Sequence, residues 1–133
     1  MNKSAARGHA LRTSCVTYPG SVEQVSAARA DLGALLCDCP VADDVILCAS
    51  ELAANAALHS HSRMPGGTFT IRAVVHPGWH VRIEVEDNGG PWVALPSHPG
   101  GRHGLDIVRA LASELGVNGN HAARTIWARF DWS

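Results

Sequence analysis

Lysine is almost missing from this sequence: Lys3 is the only one in 133 residues. Eleven Lys+Arg face twelve Asp+Glu, a formal net charge of −1, so there is no basic field of the kind that draws a protein to nucleic acid. Direct nucleic-acid binding is not expected. Also lacking is any apolar run approaching the roughly 20 residues a membrane span requires, and the opening MNKSAARGHALRTS has no apolar core of signal-peptide length. These absences lead to the expectation of a soluble, cytoplasmic protein without membrane contact. Paired C-x-x-C spacing is absent too. Cys15, Cys37, Cys39 and Cys48 include a C-D-C pair, but in a reducing compartment they are expected to be mostly small buried hydrophobes rather than zinc ligands. Of eight histidines only His59 and His61 are close neighbours, and a helix turns i and i+2 to different faces.

What is present suits a folded chain. Hydrophobic residues make up 46% and charged residues 17%, which argues against disorder, and the length suits a single core. The expected organisation is a flexible lead-in over 1–12 and one domain over 13–133. A strand is expected at Thr13–Tyr18, closed by Pro19-Gly20. Ser21 and Gln24 have capping-box spacing, and Val22, Val25, Leu32, Leu35 and Leu36 recur at helical period, so 21–37 reads as a first helix. A second helix begins near Pro40, carries Asp43 and Asp44 in its first turn, and runs to about His59. Ser60–Gly67 reads as a polar turn. Thr68–Val75 and Trp79–Glu86 read as a hairpin; in the latter Val81, Ile83 and Val85 alternate with Arg82, Glu84 and Glu86, the pattern of a sheet covered on one face. The stretch GGPWVALPSHPGG, residues 89–101, holds four glycines and three prolines and can only be a loop. A third helix is expected to carry Leu105, Val108, Leu111, Ala112 and Leu115 on one side and to stop at Gly116. A short extended Val117–Asn118 piece, a turn and a strand at Thr125–Trp132 follow. Such an order points to a two-layer α/β sandwich: a mixed, mostly antiparallel sheet with helices on one face.

Three motifs stand out against this background. In SELAANAALHSH, residues 50–61, the polar side chains Glu51, Asn55 and His59 recur every four positions along the border of the buried arc formed by Val45, Cys48, Ala49, Leu52 and Ala56. Polar groups there must be hydrogen-bonded internally or line a cavity holding something polar. Asp87-Asn88-Gly89-Gly90 follows a strand directly, which fixes a carboxylate at a rigid edge beside glycines that permit a sharp turn or close approach of a ligand. In GGRHGLDIV, residues 100–108, glycines precede a helix start whose free N–H groups suit phosphate oxygens. It is not a P-loop, since no Lys-Ser/Thr follows.

Helix with E-x-x-x-N, strand with D-N-G, loop, then G-x-x-G-L at a helix start: in this order and spacing the motifs resemble the GHKL ATPase superfamily, in particular its small anti-sigma-factor, serine-kinase branch. Ala28-Arg29 and TIWARF at 125–130 add to the likeness, which spans roughly 18–130. The resemblance implies a Bergerat-type, histidine-kinase-like sandwich binding ATP with Mg²⁺. It implies that Asn55 holds the Mg²⁺ bridging the phosphates, that Glu51 is the general base, and that Asp87 accepts a hydrogen bond from the adenine amino group with Gly89 beside it. Gly104 and Leu105 match the second glycine box at the phosphates, and Thr125 a threonine supporting the adenine site. His59 takes a supporting or packing role. With lysine so scarce, Arg102 and His103 are candidates to offset phosphate charge.

Three positions depart from the pattern: Pro91 and Arg102 stand where glycine is expected, and Arg124 where glycine often precedes the threonine. Each is expected to restrict the lid or alter phosphate contacts. Sensor histidine kinases need a helical hairpin bearing their own phosphoacceptor, for which this length leaves no room. The resemblance therefore implies an ATP-binding regulator that holds a sigma factor and phosphorylates a serine on a STAS-type antagonist. A homodimer is compatible with it. The alternative is a non-catalytic interaction module or anti-sigma factor of the same fold with a degraded pocket. A weaker third reading is a His/Cys metal protein.

Overall fold

The computed structural model describes residues 11–89, 104–120 and 122–132. Strand β1 spans Arg12–Pro19, helix α1 Gln24–Leu35 and helix α2 Ala42–His59. A 3₁₀ turn at His61–Arg63 leads into β2, Thr68–His76, and β3, His80–Asp87. Helix α3 covers Gly104–Leu111, followed by β4, Glu114–Gly119, and β5, Arg124–Asp131. Five strands form one sheet in the order β1-β2-β3-β5-β4. Every neighbouring pair is antiparallel, so the sheet expected to be mixed is wholly antiparallel among the described strands.

Side-chain alternation explains the two layers. In β2 and β3, Phe69, Ile71, Ala73, Val75, Val81, Ile83 and Val85 are buried while their neighbours are half-exposed, as period-2 strands with one covered face require. The cover is α2, which packs on β2 and β3 with α1 and α3 at its sides. Its face of Val45, Cys48, Ala49, Leu52 and Ala56 is buried, as the helical wheel indicated. Burying each large apolar side chain in such a layer contributes about 1.5–3 kcal/mol. The sheet's other face is polar: Arg72 bridges Glu84 at 2.8 Å and Glu86 at 2.9 Å, and the Arg82 guanidinium lies 4.5 Å from the Trp127 ring centre.

Several local expectations are corrected. The third helix ends at Leu111, and Leu115 and Gly116 belong to β4, opposite Ala128 and Trp127. Gly116 is needed there because a Cβ would meet the Trp127 indole nitrogen at 2.5 Å. The capping box does not form: no side chain caps α1, and Ser21 offers its backbone carbonyl to the Gln24 N–H at 3.0 Å. Ser60–Gly67 is not simply a polar turn, since Ser60 and Ser62 are buried. Only Cys39 and Cys48 are buried; Cys15 and Cys37 are exposed.

Candidate functional site

The carboxylate of Asp87 ends β3 on the helix-covered face, at the position that continues the inward series Val81, Ile83, Val85. It is 5% exposed. The chain then turns sharply: Gly89 sits at φ 74°, where a side chain would be strained, and donates its N–H to Asp87 Oδ1 at 2.7 Å. Asn88 locks this turn to its surroundings. Its side-chain oxygen accepts the Thr68 N–H at 2.8 Å, and its own N–H reaches Ser62 Oγ at 2.9 Å.

The end of α2 is fastened to the same spot. The Ser60 hydroxyl donates to the Ala56 carbonyl at 2.8 Å and accepts the Ser62 N–H at 2.9 Å, while the His61 N–H donates to the Gly89 carbonyl at 2.9 Å. Gly20 and Gly67 close against the Ser62 backbone so tightly that neither tolerates a Cβ. The C-terminal end of α2 and the D-N-G turn are thereby one rigid unit. Asn55 lies one turn before His59, about 5–6 Å along the helix.

Opposite Asp87 on β5 stands Arg124. Its guanidinium donates twice to Asp87 Oδ2, from Nε at 3.2 Å and from a terminal nitrogen at 3.1 Å. Both side chains are buried, 6% and 5% exposed. Burial pushes the Asp87 carboxyl above the ordinary carboxylate range, against the pull of the Gly89 N–H and of Arg124. Arg124 was expected to affect the lid or the phosphates; it acts instead on the carboxylate assigned to the base. The signal was present in the period-2 series Arg124, Ile126, Ala128, Phe130, which turns Arg124 to the covered face. Thr125, assigned to the adenine site, alternates to the other face, where it pairs with Glu86 and Asn118. The inward neighbour of Asp87 is therefore Arg124, not Thr125.

Along α2, Glu51 and Asn55 are half-buried and His59 is exposed, so the polar stripe leaves the core edge at its last member. Among the described residues no hydrogen bond joins the Glu51 or Asn55 side chain to another residue. Glu51 also lines a partly open hollow of about 250 Å³ with Arg29, Asp43, Ile46, Leu47 and Ser50. Gly104 opens α3 and Leu105 is buried in the core. Arg102, His103, Pro91 and most of the Gly/Pro loop lie outside the described residues, as do the first ten. Among the described residues no three His, Cys, Asp or Glu side chains converge as a metal site, and no helix is long and apolar enough to cross a membrane.

A buried strand-end carboxylate is thus followed by a positive-φ glycine whose turn is bound to the end of the helix carrying E-x-x-x-N. Residues 18–130 match the family model of the histidine kinase-like ATPase domain. The chain belongs to the histidine kinase-like ATPase family. Solved structures agree on the fold. The RsbU and RsbW domains of Rv1364c from Mycobacterium tuberculosis superpose with a TM-score of 0.72 at 21% identity over 90% of this chain, which spans 32% of that one. The histidine kinase domain of the Erythrobacter litoralis blue-light activated histidine kinase gives a TM-score of 0.55 at 19% identity, covering 89% of this chain and 67% of that one. No curated protein matches the sequence. Membership in this ATPase family implies nucleotide binding.

Proposed function

We propose that this histidine kinase-like ATPase domain is a regulatory serine kinase of the anti-sigma-factor type, with Mg-ATP as the phosphoryl donor and a STAS-type antagonist as the acceptor. The observation that carries the reading is Asp87: an acceptor fixed at a sheet margin, buried, with a bare glycine backbone beside it and the end of α2 bound to its turn. Such a group suits the exocyclic amino group of adenine. Gly89 leaves room for the flat base.

The remaining roles follow from chemistry and position. Asn55 offers a neutral amide oxygen to Mg²⁺, a hard cation that prefers oxygen ligands and, when bound, offsets the charge of the triphosphate. The first N–H groups of α3, from Gly104 and Leu105, are oriented to receive phosphate oxygens. Glu51 is the general base. The serine oxygen forms a bond to the γ-phosphorus, the bond to the bridging oxygen breaks, ADP leaves, and the serine proton passes to the Glu51 carboxylate. The hollow beside Glu51 and Arg29 gives a partner's hydroxyl a route to that carboxylate from outside. Sigma-factor binding rests on the family resemblance and on the likeness to a structure containing an RsbW domain.

One observation favours a second reading, in which the same fold acts as an interaction module without catalysis: Asp87 is already paired with Arg124. Incubation with γ-labelled Mg-ATP and STAS-type antagonists separates the two. The kinase reading expects label on an antagonist serine, and Glu51→Ala to retain nucleotide while transfer falls about 10²–10⁴-fold. Undiminished transfer by Glu51→Ala removes the base assignment, and bound ATP without any transfer by the wild type leaves the non-catalytic module.

A further inference from the structure

Arg124 takes no part in the roles assigned above, yet it holds the group on which adenine recognition depends. An ionised carboxylate offers about four lone-pair directions. Among the described residues three are in use at Asp87: one on Oδ1 by the Gly89 N–H, and both on Oδ2 by the two Arg124 donors. Arg124 faces Asp87 directly across the β3–β5 ladder and shares its side of the sheet, so the guanidinium also fills space next to the acceptor. The arrangement is a charged, two-pronged contact inside the protein, where such bonds are strongest. An adenine amino group would reach Asp87 with one neutral N–H donor.

We propose that Arg124 is an affinity-setting residue of the purine site: it competes with the adenine amino group for Asp87, so that the Asp87–Arg124 ion pair weakens nucleotide binding and its opening strengthens it. This rests on the nucleotide-binding reading given above. A residue that merely braces the fold would, when removed, weaken binding or leave it unchanged. A competitor does the opposite, because its removal frees Oδ2 and the space beside it.

Calorimetric titration of Mg-ATP into the wild type, Asp87→Asn, Arg124→Ala, Arg124→Gln and the double variant Asp87→Asn/Arg124→Ala tests this, with thermal melts confirming the fold of each. Arg124→Ala is expected to bind about tenfold more tightly than the wild type. Arg124→Gln, which keeps a neutral donor but loses the charge, is expected to fall between them, and it carries the test where Arg124→Ala melts below the working temperature. The double variant is expected to lose the gain. Folded Arg124 variants that bind no better than the wild type overturn the proposal, and if Asp87→Asn alone still abolishes wild-type binding, the nucleotide reading survives that failure. Absence of binding by the wild type and by both folded Arg124 variants overturns the two together.

Discussion

Ser62 offers a direct test of how the D-N-G turn is held. Its side chain is fully buried, and its hydroxyl oxygen accepts the Asn88 N–H at 2.9 Å, one of the bonds that tie the turn after β3 to the segment after α2. Ser62→Ala keeps the size of the residue nearly constant and deletes that acceptor. An unsatisfied buried donor costs about 1–3 kcal/mol. Asn88 is half-buried, so partial access to water holds the expected loss to about 1–2 kcal/mol. With an unfolding entropy of about 2.1 cal/mol/K per residue, a chain of this length loses about 3–4 °C in Tm per kcal/mol, so a drop of about 4–7 °C is expected. Far-UV circular dichroism during a thermal scan reads it. Ser26→Ala, on the exposed side of α1, is the control and is expected to stay within about 0.5 kcal/mol of the wild type. A Ser62→Ala protein that melts with the Ser26→Ala control would show that the hydroxyl does not carry the connection and that the turn is held by other means.

Other perturbations reach different parts of the molecule. Gly116→Ala drives a methyl against the Trp127 indole, 2.5–2.7 Å from the nearest ring atoms, and is expected to cost about 1–3 kcal/mol in denaturant unfolding; an unchanged midpoint would contradict the β4–β5 packing. The Arg72 guanidinium holds the Glu84 carboxyl below its ordinary value of 4.5. A lowered native value means the stabilisation is complete above the ordinary value and is lost as pH falls below it through the lowered native value. The stability gap between wild type and Arg72→Met, under about 1 kcal/mol for so exposed a pair, should therefore close in acid, and a gap that widens there would refute the pairing. Burial pushes the Cys48 thiol up to about 12 and also raises that of Cys39, whereas Cys15 and Cys37 are exposed. A thiol reagent is expected to label Cys15 and Cys37 in the folded protein and all four cysteines after unfolding; prompt labelling of Cys48 would contradict its place in the core.

Much of this architecture was legible in the sequence because its signals were long and periodic. The α2 wheel and the alternation through β3 each placed a whole face correctly. The end of the third helix was not legible, because Leu111, Ala112 and Leu115 keep helical spacing by chance while Leu115 actually pairs opposite Ala128 in the sheet. Strand pairing is a non-local choice that the local period cannot report. The site divides in the same way. Asp87 and Gly89 were singled out by a compact motif, and the fold binds their turn to the end of the helix that carries Glu51 and Asn55. Thr125 was assigned by motif position, but the period of two turns it to the opposite face and puts Arg124 in its place. A long charged residue ending an apolar inward series was the available clue, and its partner across the ladder became evident only once the β3–β5 register was known.

The most direct measurement is a calorimetric titration of Mg-ATP into the wild-type protein and into Asp87→Asn. Saturable binding by the wild type that disappears in a variant still folded by circular dichroism is the expected result. Equal binding by both proteins would mean that the base is read elsewhere, and the adenine role of Asp87 would have to be abandoned.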